Sequence, residues 1–490
     1  MSDKKEFKDY IKERSKLLQC AYNSRCLMRD IKSGLETYEQ KTKYIKKLSH
    51  LEPQETYDNR IYNSVFHNIT NRMIKINYTR PFGKVSQLSS SDDYLKNLQN
   101  NFDSYNNSLT DFGKKVFKTA MYDSMAHIFV DLPENPDNEF KPDLLPRAIL
   151  LNNDDILGAR VGNGGEIMHL RFRIMKEIPH PENPFDVVLS PIYYVFDKKE
   201  DGSVYYNIYR EFENEVVSFF DESKKYILNK IPLVSYYPDD CEIPFYPDII
   251  FKDLANKNIE YFRSASDQTN ILHIARVPIL FFKGIDENKN GLGIGVGMAV
   301  NAGDSEYADG KYIEINGGSI NAGRTNMNDI LTQMESLGLE LMSKNTTATS
   351  SIIDNAQNTS LLTAFAVKLQ STLINVVKLM IELKEKTGYT FKTKEFNLNI
   401  DTKFSIVVDQ AELQFMQFLR SSGDISGKTI TNYAKSLGYL QADYNFENDM
   451  EENLSANIVS NDFLNLINEN NLKNKNEADK KDEKDQDDEI

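Results

Sequence analysis

Apolar residues recur every three or four positions through most of the chain and every second position through one stretch, and this change of period divides the sequence. Residues 3–50 read as helix, with Phe7, Ile11, Leu17 and Leu18, then Met28, Ile31 and Leu35, ending before Pro53. Ile61, Val65, Phe66, Ile69 and Met73 predict one further helix with a single buried face, stopped by Pro81, Phe82 and Gly83. After a Ser/Asn/Asp-rich link at 89–107, Phe112, Val116, Phe117, Ala120 and Met121 predict a third helix, which leads into a short strand at 128–130. Between 149 and 237 the period is two: Met168, Leu170, Phe172 and Ile174 alternate with His169, Arg171 and Arg173, the pattern of a half-buried strand. Strands at 192–196 and 204–209 flank Asp201 and Gly202, a pair suited to a hairpin turn, and further strands fall at 216–220 and 233–237.

The helical period returns at 251–274, where Leu254, Ala255, Ile259, Phe262 and Ala265 share a face. A glycine-rich section follows with candidate strands at 279–282, 293–300 and 311–315. Asn326 with Asp329 makes a capping pair for a second helix at 327–341, with a stripe of Met327, Ile330, Leu331, Met334, Leu337 and Leu341. Residues 343–358 read as a polar loop, and 360–386 as a third, long helix ended by Gly388. Strands at 396–400 and 404–408 and helices at 411–419 and 429–437 complete the pattern. The whole is α+β: helices beside an antiparallel β-rich module.

Composition changes this picture little. Of 490 residues 40% are hydrophobic, which supports a globular chain of two or three domains. The net charge of −15 is concentrated: residues 441–490 carry 15 acids and 5 bases, whereas the first 50 carry 13 bases and 7 acids. The acidic end reads as a solvated, disordered tail. Cys20, Cys26 and Cys241 form no C-x-x-C pair. The densest apolar run, 277–282, is far short of a membrane span, and the start lacks the apolar segment of a secretory signal. The expectation is a soluble, cytoplasmically made protein with no membrane association.

Several motifs begin and fail. Asp286 to Gly291 matches the first half of a calcium loop, but Gly297 stands where its bidentate carboxylate belongs. Gly291, Gly293, Gly295 and Gly297 alternate with apolar residues and miss the dinucleotide spacing. Gly423 to Thr429 ends like a phosphate loop but is one residue short. The six histidines never fall at metal-ligand spacing, and no nucleophile elbow occurs. The helices around Gly423 lack the basic face of a helix-turn-helix reader. No cofactor, metal or catalytic group is expected.

Several stretches, in order, resemble the portal protein of tailed bacteriophages: Tyr57 to Arg60, Asn68 to Thr70, Val130 to Pro133, Pro146 to Ile156, Leu254 to Ile259, Ser264 to Asp267, Leu272 to Leu280, Lys311 to Gly318 and Gly423 to Ser426. The resemblance spans most of 55–445. It implies a portal-like α+β subunit of a ring, usually of twelve, at one capsid vertex. That ring admits and releases double-stranded DNA without sequence preference, and docks the terminase large subunit and head-completion or adaptor proteins within a capsid and scaffold. Under it, 1–55 is an N-terminal helical segment, 56–250 the wing, 251–274 a stem helix, 275–325 the clip and 326–342 a second stem helix. Residues 343–358 would be the channel loop, 359–410 the long helix with wing strands, 411–445 the crown side and 446–490 the acidic tail.

Lys344, Asn345, Thr346, Thr347, Thr349, Ser350 and Ser351 are the candidate DNA-facing residues of that loop. With one lysine and one acid, Asp354, in 343–358, the loop suits weak, mobile contact with a sliding polyanion, and equally an ordinary surface loop. A DNA-packaging ATPase or nuclease, and a helix-turn-helix DNA-binding protein, are the alternative readings.

Overall fold

The computed structural model describes residues 7–132, 145–179, 183, 185–212, 215–218, 222–276, 279–283, 309–313, 317–338, 348–402, 410–436 and 446–447. Two compact units divide the chain, Met1–Phe404 and Ser405–Ile490. The fold is α+β.

The N-terminal periodicity resolves into four short helices: α1 (Phe7–Lys12), α2 (Lys16–Ser24), α3 (Cys26–Ser33) and α4 (Tyr38–Tyr44). Gly34, with φ +91°, ends α3, and Thr37 with Gln40 forms a capping box for α4. The helix expected through residues 61–73 is two, α5 (Gln54–Asn63) and α6 (Ile69–Thr79). Side chains take over the main-chain bonds between them. The Ser64 hydroxyl donates to Arg60 O at 2.6 Å, and Asn68 caps α6 by accepting the Asn71 N–H at 3.0 Å. Val65, expected on the buried face, is consequently exposed.

The expected link at 89–107 is not structureless. It holds part of β1 (Gln87–Ser90) and all of α7 (Asp93–Asn97), and β1 pairs antiparallel with β13 (Phe396–Asn399), more than 300 residues on. Buried Asp92 explains the local fold: one carboxylate oxygen caps α7 and the other accepts the Lys392 N–H at 3.0 Å.

A large core is built on α8 (Leu109–Asp123) and α11 (Ala348–Lys386). Leu362, Phe365, Leu369, Leu373, Val376, Val377, Met380 and Leu383 line the buried side of α11, at helical spacing. By length and composition Leu361–Lys386 could cross a membrane, contrary to the expectation that no segment approaches that limit. This apolar side is committed to the core, against Phe117, Tyr236 and their neighbours.

Against the core lies a three-stranded sheet, ordered β10 (Leu233–Tyr236), β2 (Ala126–Asp131), β3 (Arg147–Leu151), whose central strand is buried on both faces. A second sheet runs β4 (Ile156–Val161), β5 (Ile167–Pro179), β6 (Val187–Lys198), β7 (Val204–Phe212), β8 (Glu215–Ser218), with β9 (Lys224–Lys225) also on β7. Here the two-residue period holds. Leu170, Phe172 and Phe196 enter an aromatic core with Phe129, Tyr194 and Tyr206, the Phe172 and Tyr194 rings stacking at 5.1 Å. The opposite face is covered by the N-terminal segment: Ile11 packs with Leu157 and Tyr193, and Arg171 donates to the Tyr10 and Glu13 carbonyls. The β6–β7 turn uses Gly202 at φ +81°.

One buried titratable group gives the fold a pH signature. His127 on β2 is fully buried, Nδ1 within 2.8 Å of Ser235 Oγ and its ring stacked 4.7 Å from Phe245. Burial, helped by the charge of Arg25, pushes its pKa down to about 3 from 6.5. The unfolded chain therefore binds the proton that the folded chain refuses, so stability is complete above about pH 6.5 and falls as pH drops toward 3. His127→Gln is expected to flatten the dependence between pH 6.5 and 4.5 in urea titrations; an unchanged slope would assign the acid sensitivity to other groups.

Candidate functional site

The region most strongly patterned in the sequence folds as an antiparallel helix pair. α9 (Lys252–Ala275) and α10 (Gly317–Leu337) pack together, and β11 (Ile279–Lys283) pairs antiparallel with β12 (Asp309–Ile313) between them. Their direction follows from cross-contacts: Gln268 Nε2 donates to Ile320 O at 2.9 Å, and Asn326 Nδ2 reaches Ser264 Oγ at 3.4 Å. At the other end both helices meet α6, where the Thr70 hydroxyl donates to Leu254 O and Asn77 Nδ2 donates to Gly338 O at 2.8 Å.

The root of the pair is deeply set. Leu254, Ala255, Ile259 and Phe262 on α9, with Ile330 and Met334 on α10, belong to the main core, and Phe262 meets Phe66 edge to face at 5.3 Å. Buried Asn258 ties α9 to the start of α6, donating to His67 O at 2.9 Å and accepting the Thr70 N–H at 3.0 Å. Ser266 and Ser64 hydroxyls lie 2.8 Å apart.

Beside them Arg60 is sealed, its side chain 2% exposed. It is bidentate to Glu52 at 3.0 and 3.1 Å, bonds Lys46 O at 2.7 Å and touches Asp267 at 3.4 Å. Burial opposes the charge on Glu52, yet the Arg60 bonds and the Leu48 N–H hold its carboxyl below the usual range. At Asp267 burial wins over Arg60, and the pKa is raised. The stretches 57–60, 68–70, 254–259 and 264–267, far apart in the chain, are thus brought together at this root.

Away from the root the pair is half wetted. Ile320, Gly323, Met327, Ile330 and Met334 follow a stripe toward α9, while Asn321, Thr325, Asn328, Thr332, Gln333 and Ser336 are exposed. Only Arg324, Asp329 and Glu335 carry charge on α10. Gly323 leaves room for the Gln268 side chain: a Cβ there would lie 2.1 Å from Gln268 Oε1, and the amide would have to move aside. The result is a braced projection with a long, almost neutral polar face. Among the described residues no group of metal-binding side chains occurs, and the shifted carboxyls have partners in the packing.

The boundaries expected from sequence shift in consistent ways. The first helix is Lys252–Ala275 rather than 251–274. The second starts at Gly317, ten residues before the Asn326 and Asp329 pair, and ends at Leu337 before Gly338 rather than at 341 or 342. A cap motif is only an opportunity, and packing of α10 on α9 carries the helix through it. The section assigned as 275–325 therefore contains the first helical turns of α10. Strand 293–300, with the calcium-like and glycine-rich motifs, lies outside the described residues.

The largest correction concerns 343–358: α11 begins at Ala348, so 348–358 is helix, not loop. Its Thr, Ser and Asn residues read as loop, but no Pro or Gly interrupts them and the helix they precede is strong. Thr349, Ser350 and Ser351 sit in the first turn of α11, and Lys344, Asn345, Thr346 and Thr347 lie outside the described residues.

In the second unit, α12 (Gln410–Ser422) and α13 (Gly427–Ser436) also run longer than expected. The phosphate-loop-like segment between them is a helix-to-helix turn. Gly423 takes φ +84°, Asp424 N bonds Leu419 O at 3.1 Å, and Ser426 Oγ accepts the Thr429 N–H at 3.2 Å. Lys428 is paired with Glu447 at 3.1 Å. The strand expected at 404–408 lies outside the described residues.

Comparisons with known proteins find similarity over this region. A family described as a domain of unknown function, DUF4055, matches residues 251–383, from the start of α9 through most of α11. No curated protein matches the sequence significantly. Among solved structures, a chain from the neck of an empty gene transfer agent particle computed with C6 symmetry is 9% identical with a TM-score of 0.41 over 76% of this chain and 91% of that one. A chain from the neck of the native particle with C12 symmetry is 12% identical, TM-score 0.37, over 76% and 91%. One from the virion of the native gene transfer agent particle is 11% identical, TM-score 0.36, over 76% and 89%.

Proposed function

We propose that this chain is a non-catalytic subunit of a phage portal ring, about twelve copies surrounding a DNA channel at one vertex of a virion. The observation that carries the reading is the antiparallel α9–α10 pair, rooted in the core at one end, with the β11–β12 pair between its helices in sequence and a long core helix following. In this reading α9 and α10 are the stem and β11–β12 part of the clip.

A conduit must let DNA slide, and each phosphate neutralised by a fixed cation adds salt-dependent grip. The nearly uncharged polar face of α10 meets that requirement better than a basic groove would. The start of α11 replaces the polar loop as the segment nearest the channel. Terminase and head-completion or adaptor proteins would dock on the assembled ring within the capsid and its scaffold. Assembly would take place in the cytoplasm of a bacterial host. No cofactor is needed for this role.

The test is direct. Negative-stain imaging and native mass of the purified full chain should give channel-bearing rings near twelve times 56.3 kDa. A strict monomer or dimer under every assembly condition would remove the reading.

A further inference from the structure

The β5–β6 ribbon outgrows its sheet. β4 pairs with β5 no further than Phe172, and β7 with β6 no further than Ile192. Beyond these points the two strands continue together, Pro179 opposite Val187 and Ile178 opposite Val188, and among the described residues no further strand pairs with either outer edge. Both faces are apolar: Ile178 and Val188 on one, Met175, Val187 and Leu189 on the other, all exposed, and Phe185 in the turn is 98% exposed. A two-stranded ribbon is marginal alone in water, and free edges with apolar faces invite pairing, so this one is built to be covered.

Exposed apolar residues also occur elsewhere on the same chain. Around the α4–α5 connection and α5, Leu48, Leu51, Tyr62 and Val65 are exposed, Leu51 at 77%. Lys46 and Lys47 are exposed there, their ammonium groups bonded to main-chain carbonyls of Thr42 and Glu52. The ribbon carries two exposed acids, Glu177 and Asp186, without a cationic partner among the described residues, against one exposed cation, Lys176.

We infer that the ribbon of one copy docks on the α4–α5 surface of the next copy of this chain, with Phe185, Val187 and Leu189 covering Leu51, Tyr62 and Val65, and Glu177 and Asp186 facing Lys46 and Lys47. Because the two surfaces differ, the contact is head-to-tail, the kind that generates a closed ring when its rotation closes. The inference rests on the ring reading above and names the contact that would hold the ring.

Sedimentation of the full chain separates the two. Val187→Asp with Leu189→Asp should raise the concentration needed for assembly at least 100-fold while far-UV circular dichroism stays unchanged. Lys46→Glu with Lys47→Glu should raise it about tenfold, and adding Glu177→Lys with Asp186→Lys should restore it; this charge exchange decides the matter if the apolar variant misfolds. Wild-type assembly of both variants would overturn the docking and leave the ring reading standing. Loss of assembly without rescue by the exchange would overturn the α4–α5 surface as the ribbon's partner. A wild-type chain that never assembles overturns both.

Discussion

Replacing Arg60 with alanine is expected to destabilise the N-terminal unit by about 3–5 kcal/mol, the cost of leaving one member of a sealed ion pair without its partner. Arg60 and Glu52 side chains are 2% and 6% exposed, so Glu52 has little solvent of its own to replace the lost guanidinium. Glu52 would keep the Leu48 N–H at 2.8 Å and the nearby charge of Lys47, and Lys46 O would lose its 2.7 Å donor. Thermal and urea unfolding measure the loss. Glu52→Leu combined with Arg60→Met should recover a large part of it, because the double variant buries no lone charge. A loss below about 1 kcal/mol for Arg60→Ala would mean that water reaches this root.

The second large effect is expected at Leu373. It is fully buried on α11, and its Cδ1 lies 3.5 Å from where a Cβ on Gly113 of α8 would stand, beside Phe82. Leu373→Ala leaves a cavity where two helices and an aromatic ring are already in contact and cannot easily close, so a loss of about 3–5 kcal/mol is expected. The urea midpoint should fall with the slope unchanged. Val367, 48% exposed on the same helix, is the control: Val367→Ala should stay within about 0.5 kcal/mol. Equal effects at the two positions would contradict the burial of one side of α11.

Much of the fold was legible because short-range physics decides it. The alternation through Leu170 and Phe172 needs only the pleat of a strand, and the stripe on α11 needs only the helical repeat. Errors fell where a local signal met a competing one. Ser64 and Asn68 broke an apparently continuous helix, because their side chains bond main-chain groups that the helix would have used. The Asn326 cap was overridden by packing of α10 on α9, and the polar start of α11 was drawn into helix by the absence of any breaker. Composition and resemblance point to the candidate loop residues, and neither carries information on how far a neighbouring helix propagates.

By itself, then, the sequence determined the α+β class, the helix–β–helix–long helix order of the central section, and the scarcity of catalytic or ligand motifs, all readable from period, spacing and residue type. Only the tertiary structure decided that Arg60, Glu52 and Asp267 meet, that β1 pairs with β13, and that the β5–β6 ribbon runs past its neighbouring strands with exposed apolar residues on both faces. Those features join positions up to about 300 residues apart, and no local rule connects them. They exist because burying apolar surface on α8, α9 and α11 forces polar groups into shared spaces, where each must find a partner or stay in water.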